Sequence, residues 1–352
     1  MYRTSIWYTV LGDLIMDINI YEAPLSEERN TEYKAFLVSA GLRDEEDADF
    51  IAWMKDDSGR FVACGALAGH TIKQLAVDPS IEGTGAMAQI MTAIIREAYD
   101  RGNTRLFLCT KPKNYNMMAS LGFNKLIAID DAVLLENRRN GLEKFLAKTR
   151  KDAEEHRADI ADITCGAVVC NCDPFTLGHR NLIEYASKHC YFLYVFAVDE
   201  AGSRFTPEDR LEMIKQGTAD LENCHVYSSE LYLVSRATFP AYFIRDEEHA
   251  DEVRSDLDIT LFAERIAPAL NITKRFVGQE PFSPVTNAYN TRMKKLLPEY
   301  GIELVEIPRF AVEGDELAVS ASRVRKLFEE GDMEAVKALV PETTYKIIEK
   351  YK

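Results

Sequence analysis

The stretch Cys170–His179, with the sequence CNCDPFTLGH, combines residue types that suit phosphate binding. It follows the short apolar run 165–170, which is typical of a buried parallel strand, and it precedes apolar residues at helical spacing. Gly178 and His179 should therefore lie near the N-terminus of a helix, where free backbone N–H groups and the helix dipole favour an anion. The pattern predicts a site for the triphosphate of a nucleotide.

A second set of such residues lies near the C-terminal end of the sequence. Ser320, Ser322 and Arg325 stand at the start of another segment with helical spacing. Two hydroxyls and a guanidinium can donate hydrogen bonds to phosphate oxygens. A structural interpretation stays open, because the serines can instead cap the helix and Arg325 can instead pair with Glu329 one turn later.

The two segments resemble the two signatures of the nucleotidyltransferase superfamily. Thr176–His179, TLGH, is similar to the T/H-x-G-H motif in its Thr-first form. Val319–Arg325, VSASRVR, resembles the I-S-S-T-x-x-R box, with Val for Ile, Ala for the middle Ser and Ser for Thr. Each motif alone is short enough to occur by chance, whereas both together, in the order and spacing of the family, are strong evidence.

This resemblance implies transfer of the adenylyl group of ATP, with Mg²⁺ supplying positive charge. His179 and Thr176 would donate hydrogen bonds to the α-phosphate. Ser320, Ser322 and Arg325 would hold the β- and γ-phosphates. The predicted catalytic residues are His179, Thr176 and Arg325, and the other residues expected at ATP are Asn171, Asp173, Phe175, Gly178, Gly278, Ser320 and Ser322.

Several positions near the predicted nucleotide have two interpretations. Asp173 precedes Pro174, a pattern that favours a turn-shaping role over that of a base. Arg204 and Arg210 follow the second predicted strand and could contact an anionic substrate, although Arg210 could equally lie on a solvated helix surface. Gly278 follows the fourth predicted strand, where a plain loop fits almost as well as a nucleotide contact.

The seven cysteines predict reduced thiols rather than a disulfide framework, because they are odd in number and scattered. Cys170 and Cys172 lie near His179 but lack a second ligand pair at the spacing of a structural zinc site. Buried apolar cysteines are therefore the better account. We predict no metal centre built from protein side chains.

The composition restricts the possible partners. The 352 residues contain 42 Lys and Arg against 57 Asp and Glu, a net charge of -15, which argues against nucleic acid or an anionic membrane as the main partner. No apolar stretch approaches the ~20 residues of a membrane span, and residues 1–6 lack the core of a signal peptide. We expect a cytoplasmic protein.

The elements that must position the predicted site alternate between strand-like and helical patterns. Apolar runs predict five strands, at 165–170, 191–198, 224–233, 275–278 and 302–307. This βαβ alternation predicts an α/β fold with a doubly wound parallel sheet, which binds ligands at the carboxyl ends of its strands. We assign residues 161–352 to this domain, and the charged, helix-favouring segment 132–160 to a connecting helix pair.

The N-terminal half contains a Gly-rich turn between a strand-like run at 72–77 and an amphipathic helix pattern. With the strand-like runs at 61–67 and 105–110, this arrangement resembles the α+β core of GNAT acetyltransferases, and we assign residues 1–131 to such a domain. GNAT enzymes usually have Gln or Arg three residues before the first Gly of the turn, where Ser80 stands here. That difference argues against full acetyl-CoA catalysis.

The turn can still bind a ligand through its backbone. Its residues are Gly83, Thr84, Gly85 and Ala86. Their N–H groups could cradle the pyrophosphate of a CoA-like arm, because that contact needs little from side chains. A Gly-rich turn without a ligand is the alternative.

A GNAT-like domain followed by a T-x-G-H domain is similar to the arrangement in the citrate lyase ligase family. The segments 204–210, 237–243 and 276–281 also resemble that family. The resemblance implies an acid–thiol ligase that forms acetyl-adenylate and pyrophosphate from ATP and acetate. The acetyl group would then pass to the CoA-derived thiol on the acyl carrier subunit of citrate lyase, and AMP would be released.

Two other functions fit parts of the same evidence. An adenylyltransferase acting on a phosphate monoester such as phosphopantetheine shares the second-domain signatures but needs no GNAT-like half. A non-catalytic regulator could sense ATP or CoA through both domains, although intact His179, Ser320, Ser322 and Arg325 argue against it.

Overall fold

Hydrophobic runs separated by polar turns fold the first part of the chain around a mixed sheet. The computed structural model describes residues 17–199, 202–233, 240–280, 283–311 and 318–352, so the expectations for residues 1–6, 237–239 and 281 lie outside it. Its residues form two units. They are the described parts of Met1–Gly141 with Arg236–Leu257, and of Leu142–Ser235 with Asp258–Lys352.

The first unit contains a seven-stranded sheet in the order β1-β2-β3-β4-β5-β7-β6, in which β4 and β5 are parallel. Its elements are β1 (Asp17–Glu22), α1 (Glu27–Ser39), β2 (Phe50–Lys55), β3 (Phe61–Ala68), β4 (Thr71–Val77), α2 (Ala86–Asp100), β5 (Phe107–Thr110), α3 (Tyr115–Ser120), β6 (Asn124–Ala128) and β7 (Val133–Glu136). Helix α2 lies close against β3 because Gly65 has no side chain. A Cβ there would lie 2.7 Å from Ile94 Cδ1.

The second unit contains a five-stranded parallel sheet in the order β10-β9-β8-β11-β12. Its elements are α4 (Gly141–His156), β8 (Cys165–Cys170), α5 (Leu177–Lys188), β9 (Phe192–Ala197), α6 (Pro207–Gly217), β10 (Cys224–Ser228), α7 (Glu247–Leu261), α8 (Ala267–Ala269), β11 (Ile272–Gly278), α9 (Pro284–Leu296), β12 (Glu303–Ile307), α10 (Ala321–Glu329), α11 (Met333–Leu339) and α12 (Glu342–Ile348). The boundary between the units falls within α7. The strand order reverses between β8 and β11, which is where doubly wound sheets bind ligands.

The predicted fold class is confirmed in both halves, and the five strands predicted for the second half are present with altered bounds. The third strand, expected at 224–233, ends at Ser228. Its hydroxyl donates to Asp199 at 2.7 Å, and the chain then turns through Glu230 and Leu231, which both have positive φ. That turn ends the extended conformation earlier than the apolar pattern indicates.

Residues 132–160 are only partly helical. The apolar run Val133–Glu136 forms β7, which pairs with β5 and β6 in the first sheet, and one α-helix, α4, follows it. The expected helix pair is therefore wrong in its first half, because four buried residues complete a sheet there. The domain boundaries at residues 131 and 160 remain a prediction.

Candidate active site

The segment between β8 and α5 brings Thr176 and His179 into contact at the start of the helix. Thr176 is the N-cap of α5, and its hydroxyl oxygen accepts a hydrogen bond from the His179 backbone N–H at 3.4 Å. The His179 Nδ1 in turn accepts from the Thr176 backbone N–H at 3.1 Å. This reciprocal pair is a capping box with His in the place of Glu or Gln.

The capping box fixes which nitrogen of His179 carries the ring proton. Since Nδ1 accepts a backbone N–H, the proton of the neutral ring lies on Nε2, which remains as a donor. Burial, with the positive charge of Arg309 as a second cause, lowers the pKa of His179 to about 4. The side chain is therefore a neutral donor at neutral pH.

The second motif begins α10 in a similar manner. Ser320 is the N-cap, and its hydroxyl oxygen accepts from the Arg323 backbone N–H at 3.2 Å. The capping interpretation of Ser320 is thus confirmed, although capping and phosphate binding use the same end of a helix. Ser322 is exposed and accepts a hydrogen bond from Arg325 Nη2 at 3.3 Å.

Arg325 connects the second motif to the first. Its Nη1 donates to the backbone carbonyl of Asp173 and lies 3.5 Å from the Asp173 carboxylate. Among the described residues, its ion pair is therefore with Asp173 and not with Glu329.

The two motifs also approach each other directly at Gly178. A Cβ at this position would lie 3.1 Å from the backbone carbonyl oxygen of Val319, which is tighter than most contacts that a Cβ makes. The absence of a side chain at Gly178 thus allows the segment before α10 to pass close to the N-terminus of α5.

These segments border a cleft of about 460 Å³ in the second unit. Nine of the residues predicted at ATP line it: Asn171, Asp173, Thr176, Gly178, His179, Gly278, Ser320, Ser322 and Arg325. Residues of both signatures, together with the loops that follow β8 and β11, thus surround one space.

Asp173 contributes to the cleft mainly as a structural residue. It is 6% exposed, and its two carboxylate oxygens accept the backbone N–H groups of Arg204 and Phe205 at 3.0 Å each. With Arg325 as a third partner, the carboxylate of Asp173 makes three contacts that hold neighbouring segments in place. The predicted turn-shaping role therefore accounts for its surroundings.

Three predicted residues lie outside the cleft lining. Phe175 is fully buried, and its ring lies 6.0 Å from that of His179 in a stacked arrangement. Arg210 is 1% exposed, and its Nη1 donates to the carbonyl oxygens of Asn171 at 3.0 Å and Val198 at 2.9 Å. The guanidinium carbon of Arg204 lies 5.1 Å from the ring of Phe328. This geometry favours supporting roles for all three over direct contact with a substrate.

Two arginines of the cleft were not predicted from the sequence. Arg309 follows β12, its Nε donates to the carbonyl of Gln279 at 3.0 Å, and its Nη2 pairs with Glu280. Arg275 lies within β11. Arg309 could have been predicted at the cleft, because it is a basic residue just after a predicted parallel strand. Arg275 could not, because nothing in the sequence distinguishes a buried arginine within a strand from an exposed one.

The two cysteines beside the first motif are in contact. The Sγ atoms of Cys170 and Cys172 lie 3.0 Å apart, and burial raises the pKa of the Cys172 thiol well above its usual range. All seven cysteines are free. Across the described ranges, no group of three or more His, Cys, Asp or Glu side chains could hold a metal ion.

The Gly-rich turn of the first unit is an exposed loop before α2. Gly83 and Gly85 have φ values of 80° and 86°, and Gly85 is an N-cap without a side-chain cap. Ser80 donates through its hydroxyl and its backbone N–H to Asp78, so its side chain closes the preceding turn. Gly83, Thr84 and Gly85 are exposed, whereas Ala86 is buried at the start of α2 and the Thr84 backbone N–H donates to the Ile81 carbonyl at 3.3 Å.

Comparison with known proteins gives two family matches. Residues 165–348 match the citrate lyase ligase C-terminal domain, and residues 16–123 match the acetyltransferase (GNAT) family. The first match spans more than half of the chain. Within the described residues, no helix has both the length and the apolar character to cross a membrane.

Individual relatives agree with these matches. The [citrate [pro-3S]-lyase] ligase of Klebsiella pneumoniae is 41% identical over 314 residues, covering 88% of this chain and 89% of that protein. The protein of the same name from Escherichia coli K12 is 38% identical, covering 84% and 83%. A phosphopantetheine adenylyltransferase of Streptococcus gordonii is 33% identical over 103 residues, only 28% of this chain and 63% of that protein. The ligase is therefore favoured over the monoester adenylyltransferase and over a non-catalytic regulator.

We predict that His179 titrates far below an ordinary histidine. NMR of its ring resonances should give a midpoint near pH 4, with the signal assigned by its loss in His179→Gln. The folded state prefers the neutral ring. The contribution of His179 to folding stability is therefore complete above the usual histidine pKa of about 6.5, and it is lost as the pH falls towards 4. A titration midpoint near pH 6.5 would contradict the claim that burial lowers the pKa of His179.

Proposed function

Because the chain belongs to the citrate lyase ligase family, and is accordingly an enzyme of the ligase class, we propose that it uses ATP to activate acetate. It would then acetylate the CoA-derived thiol on the acyl carrier subunit of citrate lyase and thereby activate that enzyme. The observation that carries this proposal is that the two nucleotidyltransferase motifs, at the N-termini of α5 and α10, line one cleft.

In the first step, a carboxylate oxygen of acetate forms a bond to the α-phosphorus of ATP. The bond from that phosphorus to the bridging oxygen breaks, and pyrophosphate leaves. Acetate is ionised at neutral pH, by analogy with Asp and Glu, so the attack requires no protein base. The demand on the protein is positioning and neutralisation of charge.

The cleft residues match that demand. The Nε2–H of neutral His179 would donate to an α-phosphate oxygen, where a fixed donor stabilises developing charge. Ser320, Ser322 and Arg325 would contact the β- and γ-phosphates, and Arg309 would add positive charge near His179. These roles agree with a site on two helix N-termini.

In the second step, the carrier thiol sulfur forms a bond to the acetyl carbonyl carbon. The bond between that carbon and the phosphate oxygen breaks, AMP leaves, and the thiol proton passes to water. In our proposal, the Gly83–Ala86 turn binds the pyrophosphate of the CoA-like arm through its backbone N–H groups. The exposure of residues 83–85 and the positive φ of Gly83 and Gly85 support this assignment.

Mg²⁺ would accompany the nucleotide in this reaction and supply positive charge at the phosphates. Protein cages dedicated to this ion are uncommon, and it usually retains water and phosphate ligands. The two acidic residues of the described cleft lining suit that arrangement, because Asp173 contacts two backbone N–H groups and Arg325, and Glu280 pairs with Arg309. We also propose a cytoplasmic location, where ATP is available and thiols stay reduced.

The first test concerns His179. We expect His179→Ala to slow acetate-dependent exchange of pyrophosphate into ATP by about 10²–10³-fold, the usual effect of removing one transition-state donor. His189→Ala is a matched control, because His189 follows the other end of α5 and its Nδ1 contacts the carbonyl of Tyr185. Full exchange in a folded His179→Ala protein would refute the assigned role.

The second test separates the two steps. We expect Gly83→Asp to weaken acetylation of the carrier at least tenfold, since a carboxylate would repel the pyrophosphate of the arm, while acetate-dependent pyrophosphate exchange stays unchanged. Gly102→Asp is the matched control, because Gly102 also has a positive φ, 88°, and open space around it. Equal rates of carrier acetylation for the Gly83→Asp and Gly102→Asp variants would exclude the turn as the docking site.

A further inference from the structure

Three arginines line the cleft, and they differ in how their charge is balanced. Arg325 pairs with Asp173, and Arg309 pairs with Glu280. Arg275 has no such carboxylate among the described residues. Its Nη2 donates to the neutral hydroxyl of Tyr289 at 3.2 Å, and that hydroxyl donates to Asp258.

Arg275 is also desolvated. It is 3% exposed, and its guanidinium carbon lies 4.4 Å from the centre of the Phe262 ring. Its Nε and Nη1 are buried and have no hydrogen-bond partner within the described part of the chain. Burial of a cation whose donors are unsatisfied is strongly unfavourable unless an anion compensates it.

No other residue of the described cleft lining has buried, unpartnered polar side-chain atoms. The wall around Arg275 is formed by β11 and α9, where Tyr289, Asn290 and Met293 also line the cleft. Neither β11 nor α9 belongs to the two phosphate motifs, which lie at the N-termini of α5 and α10.

We propose that Arg275 binds the carboxylate of the acid substrate and so selects a small monocarboxylate as the nucleophile. This inference rests on the proposed function, since it assigns the acid to one wall of the same cleft. One guanidinium with unsatisfied donors balances one carboxylate. A triphosphate needs many donors, which the two motifs offer as helix N-termini, the serine hydroxyls, the His179 ring and Arg325. Met293, an apolar residue of the same cleft lining, favours a small acid with an apolar tail.

The test measures the binding of sodium acetate and of ATP separately, without turnover. Saturation-transfer NMR of the acetate methyl protons gives the acetate affinity, and calorimetry gives the ATP affinity. We expect Arg275→Met to weaken acetate binding about tenfold or more, the usual effect of losing a charge-assisted hydrogen bond, with ATP affinity within twofold. Lys274→Met is the matched control on the same strand, because Lys274 is not in the cleft lining.

Several results would overturn the assignment. They are an absence of acetate binding to the wild-type protein, an unchanged acetate affinity in Arg275→Met, and a loss of ATP affinity in a folded variant, which would make Arg275 a phosphate contact. If Arg275→Met misfolds, the proposal can be tested on the wild-type protein. The rate at which phenylglyoxal modifies Arg275 is then measured by mass spectrometry with and without acetate. Acetate should slow it and chloride should not, and equal rates would reject the proposal.

Failure of the proposed function gives a different pattern. A wild-type protein that binds acetate through Arg275 but shows no acetate-dependent pyrophosphate exchange would reject acetate activation and leave the carboxylate site in place.

Discussion

The geometry of the candidate active site depends on one buried carboxylate, that of Asp173. It accepts the backbone N–H groups of Arg204 and Phe205, from the loop after β9, and it pairs with Arg325 of α10. Because Asp173 itself follows β8, this one side chain joins three segments that are distant in sequence. Its burial strengthens these contacts, and loss of any partner would leave a desolvated charge.

The same constraint explains why the two motifs can act on one ligand. Asp173 holds Arg325 beside the loop before α5, and Gly178 lets the Val319 carbonyl approach the start of that helix. Two helix N-termini therefore meet at the point where the strand order reverses, and their dipoles add to the charge of the nearby arginines. In a chain with a net charge of -15, these two helix N-termini and the cleft arginines therefore face the space where a triphosphate would bind.

The sequence was sufficient for the parts that short motifs and periodicity encode. Thr176, His179, Ser320 and Arg325 were predicted at the nucleotide, and all four line the cleft, since a strand–turn–helix pattern fixes their place locally. The role of Arg210 could not be predicted, because it depends on the carbonyl groups of Asn171 and Val198, which follow two different strands.

Other features that the sequence did not reveal share that cause. Phe175 packs into the core because Gly217 on α6 leaves room for its ring. A Cβ at Gly217 would clash with that ring. Arg275 became a candidate only once α9 and Phe262 were seen to bury it without a carboxylate. The strand β7 was not predicted, because its four residues stand at the start of a segment that is otherwise charged and favours helix.

The central claim is that the cleft directs a carboxylate onto the α-phosphorus of ATP. The most direct measurement follows the oxygen atoms of acetate labelled with ¹⁸O in both positions, through complete turnover with the thiol form of the carrier. The account predicts AMP that contains one ¹⁸O atom, because the attacking oxygen stays on phosphorus when the thiol takes the acetyl group. Unlabelled ADP with one ¹⁸O in inorganic phosphate would contradict it, since the acid would then have attacked the terminal phosphorus and expelled ADP.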